Sequence, residues 1–192
     1  MQENRGKDSR KRVFLEIDEI RKLVALGMPL PEDSSYKWVW PAGSENLKEL
    51  VPAEVSNTSR ELPTYCFQEL LQKLPLWIDM PAPKYLINCY HDHPVGKDKS
   101  GKDLYRHYLN VEVSVDGQLR VGYRNEYFDC VSPRYPFPEC PEDPDDQYAA
   151  MSLPGGLIGE DWLDIVYNLF LKLLEDGLYN ANFHNWQHLR DS

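Results

Sequence analysis

The strongest helical pattern in the chain lies near its C-terminus, between Gly159 and Gly177. Placed on a helix, its polar residues fall in one stripe of roughly 80°, and the positions between them are apolar. So large an apolar surface must be covered by other elements, and this stretch is therefore predicted to be the core helix of the domain. Gly177 stands where a left-handed residue ends a helix. The polar stripe comprises Asp161, Asp164, Asn168, Lys172 and Glu175.

Two shorter helices are predicted in the N-terminal half of the chain. Apolar residues at helical spacing mark Glu16–Leu26, and Gly27 ends this helix. The second helix covers residues 65–74, with Thr64 as its N-cap and Pro75 at its end. The apolar stripe of the first helix is Ile17, Ile20, Leu23 and Val24.

Alternating residues predict a β-hairpin between residues 105 and 124. A two-residue turn would place Val113 opposite Arg120 and mix apolar and polar residues on one face, which a half-buried sheet does not tolerate. A three-residue loop with Gly117 in the left-handed conformation instead places Val113 opposite Leu119. The same register pairs Val111 with Val121, Leu109 with Tyr123, Tyr108 with Arg124 and Glu112 with Arg120.

Other segments show weaker patterns. Residues 36–40 (YKWVW) alternate aromatic residues with others, which indicates a short strand or an extended arm. Residues 84–91 also have the composition of a strand. The remaining connections are predicted to be a helical turn at 44–50 and loops at 51–63, 92–103 and 129–159, the last of which is rich in proline.

These elements define an α+β fold. An antiparallel sheet of three or more strands is predicted to pack against the central apolar C-terminal helix and a second helix. The length of 192 residues suits one domain, which is assigned to residues 13–192 with a proline-rich insertion at about 129–159. Residues 1–12 lack apolar side chains after Met1 and are predicted to be a mobile basic arm.

Charge and composition narrow the functional classes. The net charge of −10 and the pI near 4.9 disfavour general binding to nucleic acids or membranes. No apolar run approaches the roughly 20 residues of a membrane span, and no signal-peptide core follows the N-terminus, so the protein is expected in the cytoplasm. The four cysteines show no CxxC pairing and are expected to be reduced. No cofactor is predicted.

Three segments form a recognisable combination: EIRKLVALGMPLPEDSSYKWVW, ELPTYCFQELLQKLPLWI and GLIGEDWLDIVYNLFLKLLEDGLYN. Together they resemble a group of uncharacterised small proteins encoded in gut bacterial genomes, prophages and other mobile elements. The resemblance implies one α+β domain, a bacterial host and a mobile-element setting. It implies no catalytic residues, and the basic arm and the segment 129–159 are atypical for the group.

Histidine pairs are the candidate metal ligands. On a strand, His91 and His93 would share one face, as two chelating imidazoles require. A third ligand would have to come from distant residues such as His107, and the alternative is that the pair lies in a polar loop. His184 and His188 are four residues apart, a chelating spacing on a helix, but no HExxH pattern accompanies them.

Cys66 is the candidate nucleophile. It lies in the first turn of a predicted helix, where the helix dipole lowers the pKa of a thiol. A nucleophile also needs a base and an oxyanion site, and no motif supplies either. Cys66 is contiguous with the apolar face of the helix, so a buried small residue is the preferred interpretation.

The hairpin register places basic and aromatic residues together on the outer face of the sheet. Such a face suits an anionic or planar ligand, or a protein partner. The alternative is a solvated face whose arginines pair with Glu112 and Glu126. The candidate binding residues are Arg106, Tyr108, Arg120 and Arg124.

The leading hypothesis is a non-enzymatic accessory protein of a phage or mobile element that binds another macromolecule, in particular a partner protein. It follows from the missing catalytic motifs, the acidic charge and the resemblance. One alternative is a metal-dependent hydrolase that uses His91 and His93. Another is the binding of an anionic small ligand or nucleotide on the sheet face formed by Arg106, Tyr108 and Arg124.

Overall fold

The computed structural model describes residues 12–40, 48–55, 60–83, 94–125, 133–138 and 155–179. These residues form three helices and eight strands, which confirms the predicted α+β class. In chain order the elements are α1 (Ile17–Ala25), β1 (Tyr36–Trp40), β2 (Glu49–Pro52), β3 (Arg60–Pro63), α2 (Phe67–Lys73), β4 (Trp77–Pro81), β5 (Gly96–Lys97), β6 (Asp103–Val113), β7 (Leu119–Arg124), β8 (Leu157–Gly159) and α3 (Trp162–Glu175).

The predicted core helix is α3, and both of its ends are capped. The side chain of Asp161 accepts a hydrogen bond from the Asp164 backbone N–H at 3.1 Å, which satisfies a free donor of the first turn. At the other end Gly177 has φ +67°, and the Leu178 N–H donates back to a carbonyl of the last turn at 2.8 Å. The glycine stop predicted for this helix is confirmed.

Burial along α3 also confirms the predicted stripe. Asn168, Lys172 and Glu175 are exposed, whereas most of the apolar positions are buried. The helix is therefore covered on several sides, as its composition requires. The buried residues of α3 are Leu163, Val166, Tyr167, Leu169, Phe170, Leu171 and Leu173.

A five-stranded antiparallel sheet, the large sheet, provides much of this cover. Four of its strands lie side by side in the order β4-β6-β7-β8. The fifth strand, β5, also pairs with β6. α3 packs against β7 and β8, and both α1 and α2 contact α3. Residues of all these helices and of β7 belong to one hydrophobic core.

A three-stranded antiparallel sheet, the small sheet, corrects part of the sequence-based prediction. β1, predicted as a short strand or an extended arm, is a strand and lies at its centre, between β2 and β3. The helical turn predicted over 44–50 and the loop predicted over 51–63 are therefore wrong where β2 and β3 lie. Pro52 and Pro63 are compatible with these strands because both stand at the ends of edge strands, where no ladder N–H is needed. Residues 41–47 and 56–59 lie outside the described residues.

The start of α2 differs from its prediction by two residues. Thr64 is buried and its hydroxyl donates to the Leu15 carbonyl at 2.9 Å, so it joins two chain segments and does not cap the helix. Cys66 is the N-cap, and its backbone N–H donates to a Glu69 carboxylate oxygen at 2.8 Å. Glutamate at the third helical position thus supplies the capping contact in place of threonine.

Strand pairing accounts for three further differences. β4 has no counterpart in the sequence-based prediction and is a strand because it pairs with β6. β5 and β8 fall in predicted loops and likewise acquire strand geometry by pairing with β6 and β7.

Two other predictions have different outcomes. Val24, predicted in the apolar stripe of α1, is exposed. The strand predicted over 84–91 lies outside the described residues.

Arg12 is attached to the body of the domain. Its guanidinium lies 2.6 Å from a Glu19 carboxylate oxygen and 3.0 Å from one of Asp164, and so connects α1 with α3. Arg12, the last residue of the predicted mobile arm, therefore contacts the domain, and the arm itself stays a prediction. Residues 1–11 lie outside the described residues.

Replacing Phe170 by alanine is expected to lower the free energy of unfolding by about 3–5 kcal/mol, because it leaves a cavity at a fully buried site. Asn168→Ala, on the exposed side of the same helix, is expected to change it by less than about 0.5 kcal/mol. Urea unfolding followed by circular dichroism measures both values. Equal losses in the two variants would contradict this placement of α3.

Candidate interaction surface

Side chains of the hairpin formed by β6 and β7 alternate between a buried inner face and an outer face. Leu119, Val121 and Tyr123 of β7 are buried in the core with α3, and the intervening residues point to the other side of the sheet. Every predicted residue pair is confirmed, and Gly117 has the predicted positive φ, at +82°. The outer face comprises Trp77 and Asp79 on β4, Arg106, Tyr108, Asn110 and Glu112 on β6, and Arg120, Gly122 and Arg124 on β7.

Trp77, Tyr108 and Arg124 form a row across three strands of this face. Trp77 lies opposite Tyr108, and Tyr108 lies opposite Arg124. Both Tyr108 and Arg124 are exposed. Directly opposite residues on one sheet face have Cβ atoms about 5 Å apart, so the row is a continuous strip of aromatic and cationic surface.

Arg106 is held by Asp79, its cross-strand partner on β4. Its Nε donates to one carboxylate oxygen and its Nη2 to the other, both at 2.8 Å, in a bidentate pair. The guanidinium also lies over the Trp77 ring, 5.0 Å from the centroid. The hydrogen bonds to Asp79 raise the pKa of the Arg106 guanidinium. This cation is therefore already paired within the sheet.

Another arginine, Arg134, reaches the outer face from the segment beside β7. Tyr135 exchanges backbone hydrogen bonds of 2.7 and 3.0 Å with Tyr123, which brings its neighbour Arg134 alongside the sheet. The Nε of Arg134 donates to the Asn110 side-chain oxygen at 2.8 Å, and its Nη2 donates to the Glu112 carboxylate. Only 6% of Arg134 is exposed, and the Glu112 carboxylate neutralises its charge.

Two glycines make room for the segment that carries Arg134 beside β7. A Cβ on Gly122 would lie 2.5 Å from the Tyr135 carbonyl oxygen and 3.2 Å from the Arg134 Cβ. A Cβ on Gly156 would lie 2.9 Å from the Val121 carbonyl oxygen, and the φ of +71° at this position is one that side chains resist. Glycine at both positions therefore allows Arg134 to lie on the outer face beside β7 and to reach β6.

The other two arginines of the outer face lack a charged partner among the described residues. Within the described ranges, neither Arg120 nor Arg124 forms a salt bridge. Glu112 stands opposite Arg120 and was the expected partner of a hairpin arginine, but its carboxylate binds Arg134. Glu126, the other expected partner, lies outside the described residues.

All four residues predicted for this surface lie on one face, in the predicted register. The sequence pattern did not identify Trp77, Asp79 or Arg134, because β4 was not predicted and Arg134 reaches the sheet from a distant segment. One local signal was present. Gly122 interrupts a strand of larger residues, and a glycine inside a strand often marks a close approach of another chain segment.

His107 is an ionisable residue on the inner face. It is fully buried, and its Nδ1 lies 2.9 Å from the Tyr105 carbonyl oxygen, which can only accept, so Nδ1 carries the proton. The Phe137 ring meets it edge-on with 5.8 Å between ring centroids. Burial lowers the pKa of His107 to about 4, so the imidazole is neutral near pH 7.

The candidates for metal binding and nucleophilic chemistry gain no support from the described ranges. These ranges contain no group of three or more His, Cys, Asp or Glu side chains suited to a metal ion. Cys66 is partly buried, and burial raises the pKa of its thiol, the opposite of what a nucleophile requires. His91, His93, His184 and His188 lie outside the described residues.

Comparisons with known proteins add no functional assignment. No protein-family model matches the chain, and no curated protein and no solved structure matches it. In the part of the chain that the structure describes, no helix has the length and apolar character needed to cross a membrane. The outer face of the large sheet therefore provides the best functional clue.

Gly122→Ala is expected to lower the free energy of unfolding by about 1–3 kcal/mol, because the new methyl group overlaps the backbone at Tyr135 and displaces Arg134. The matched control is Gly96→Ala on β5, where a Cβ meets nothing within 4 Å, and a change below about 0.5 kcal/mol is expected. Denaturant unfolding of both variants provides the comparison. A neutral Gly122→Ala would show that the segment carrying Arg134 does not lie on the sheet.

Acidification is expected to destabilise the protein through His107. Its pKa is about 4 in the folded state, whereas the unfolded chain binds the proton with a pKa near 6.5. The stabilisation by the neutral ring is therefore complete above about pH 6.5 and is lost as the pH falls toward about 4. Between pH 7 and pH 5 the loss amounts to about 2 kcal/mol.

Urea unfolding of the wild type and of His107→Gln at these two pH values isolates this contribution. Glutamine does not titrate, so the wild type should lose about 2 kcal/mol more than the variant on acidification. Equal losses would show that the folded state takes up the proton as readily as the unfolded chain.

Proposed function

We propose that the protein is a non-enzymatic accessory protein that binds an acidic surface of a partner protein through the outer face of the large sheet. The observation that carries this proposal is that Arg124, opposite Tyr108, and Arg120, four residues earlier on β7, form no salt bridge within the described ranges of a protein of net charge −10. Arginine and tyrosine are enriched at protein interfaces. Cations exposed on an acidic protein favour a partner that brings carboxylates.

The spacing of the charges favours a macromolecular partner over a small anion. At a strand rise of about 3.3 Å per residue, the Cα atoms of Arg120 and Arg124 lie roughly 13 Å apart. Arg134, which lies against Gly122 between them, is occupied by Glu112. A nucleotide or other small anion would therefore meet one free arginine at a time, whereas a protein segment with several carboxylates reaches both.

Apolar surface accompanies the charges. Tyr108 is exposed in the row that begins at Trp77, and exposed Ile158 on β8 lies opposite Arg120. An interface typically combines such aromatic and aliphatic contacts with a few polar anchors. The outer face thus offers both kinds of contact to a protein partner.

The resemblance of three segments to proteins of prophages and other mobile elements supports an accessory role in such an element, within a bacterial host. In that setting a binding protein needs no chemistry of its own, since its effect follows from occupying a partner. A metal-dependent hydrolase that uses His91 and His93 remains the alternative hypothesis, and both histidines lie outside the described residues.

The double variant Arg120→Glu/Arg124→Glu is expected to weaken partner binding by about tenfold or more, because both anchors then repel carboxylates. The wild-type protein serves as bait in the native host, and mass spectrometry identifies what it captures. Binding of the purified partner to the wild type and to the variant is then measured by calorimetry. Wild-type affinity should fall as salt is raised, as expected for exposed charges.

Lys99→Glu/Lys102→Glu is the matched control. It reverses two exposed cations at the turn between β5 and β6 and so changes the net charge equally, away from the outer face. Its affinity should stay within about twofold of the wild type. Unchanged binding by the folded arginine variant, or equal weakening by the lysine control, would refute a site on the outer face.

A further inference from the structure

One edge of β6 lacks a neighbouring strand within the described ranges. β4 pairs with β6 from Leu104 to Tyr108 and begins at Trp77, so it does not reach residues 110–113. The Leu109 N–H donates to the Leu76 carbonyl at 2.8 Å, toward the β4 side. Because backbone groups alternate along a strand, the N–H and C=O groups of Val111 and Val113 point to this same side, beyond the end of β4.

The side chains along this edge are open to solvent. Val111 and Val113 are 41% and 54% exposed and do not belong to the core cluster, although they share the inner face with buried residues of β7. Glu112 lies between them on the outer face and is also exposed. Proteins usually protect an edge of exposed β-branched residues with several charges, a proline or a bulge. Here Glu112 is the only charged residue between 110 and 113.

We infer that this edge, the β6 edge, accepts an extended segment of a partner protein as an additional antiparallel strand. The segment would exchange backbone hydrogen bonds with Val111 and Val113, as in other cases of strand addition to a sheet edge. Its own apolar residues would flank the two valines. A lysine or arginine would stand opposite Glu112, where the strand geometry brings opposing side chains closest.

Charge disfavours a second copy of the chain as the occupant of the β6 edge. Antiparallel self-pairing that uses both valines must be centred on Glu112, which places the Glu112 carboxylates of the two copies against each other. The net charge of −10 on each copy adds to this repulsion. A segment with a basic residue between two apolar residues can pair with the same edge without placing a second carboxylate against Glu112. This inference concerns the edge of β6, which shares Glu112 with the arginine-bearing face, and it does not rest on the function proposed above.

Amide hydrogen exchange of the full chain, resolved by residue with NMR, tests the inference. The probe is a synthetic peptide of alternating Val and Lys, compared with the same peptide carrying Glu in place of Lys. Saturating Val-Lys peptide is expected to slow exchange at Val111 and Val113 by about tenfold or more. The Leu109 amide is an internal control, because its bond to Leu76 already protects it.

Val111→Pro is expected to abolish the protection at Val113, because proline removes the edge donor at 111 while the ladder to β7 is kept by the even-numbered residues. Val111→Thr, which keeps the N–H and the β-branched shape, should retain it. If the proline variant does not fold, the two peptides on the wild type decide the question alone.

Three results would overturn the inference. The first is no protection at Val111 and Val113 by the Val-Lys peptide. The second is equal protection by the Val-Glu peptide, which would remove the role of Glu112. The third is protection without peptide that rises with protein concentration and coincides with a dimer in sedimentation, which would assign the edge to a second copy.

Discussion

The apolar surface of α3 is the constraint on which the rest of the described structure depends. Because its polar residues occupy one narrow stripe, its other sides must pack against a sheet and against helices. β7 meets this requirement with Leu119, Val121 and Tyr123 on one face. Strand alternation then requires Arg120 and Arg124 to lie on the opposite face. The cationic surface is thus a consequence of the same alternation that buries the core helix.

Features with a local cause were predictable from the sequence. The stripe of α3, the glycine stops at Gly27 and Gly177 and the loop at Gly117 each depend on a few neighbouring residues. The hairpin register followed because a slip by one residue would bury Arg120. β2, β3 and β8 were not predictable in this way, because each becomes a strand only by pairing with a distant segment.

In the candidate site, too, the features with a local cause were predicted and the contacts between distant segments were not. Sequence pattern placed four residues on one face correctly, but it treated the arginines as equivalent. The structure neutralises Arg106 with Asp79 from a strand that was not predicted, and it brings in Arg134 from a segment assigned to a loop. Which arginines form salt bridges among the described residues is therefore decided by contacts between distant segments. Gly122 was the only local trace of these contacts, and its meaning is apparent only once Arg134 lies against it.

Glu112 connects the outer face with the β6 edge. Its carboxylate binds Arg134, which is largely buried, and this contact helps to hold Tyr135 and its neighbours beside β7. A carboxylate has about four lone-pair directions, so a cation on an added strand would share Glu112 with Arg134 and would not need to displace it. Removing Glu112 would leave a buried guanidinium without its anion, which is costly. The residue that gives the edge its charge preference is therefore also one that the arrangement of the arginines requires.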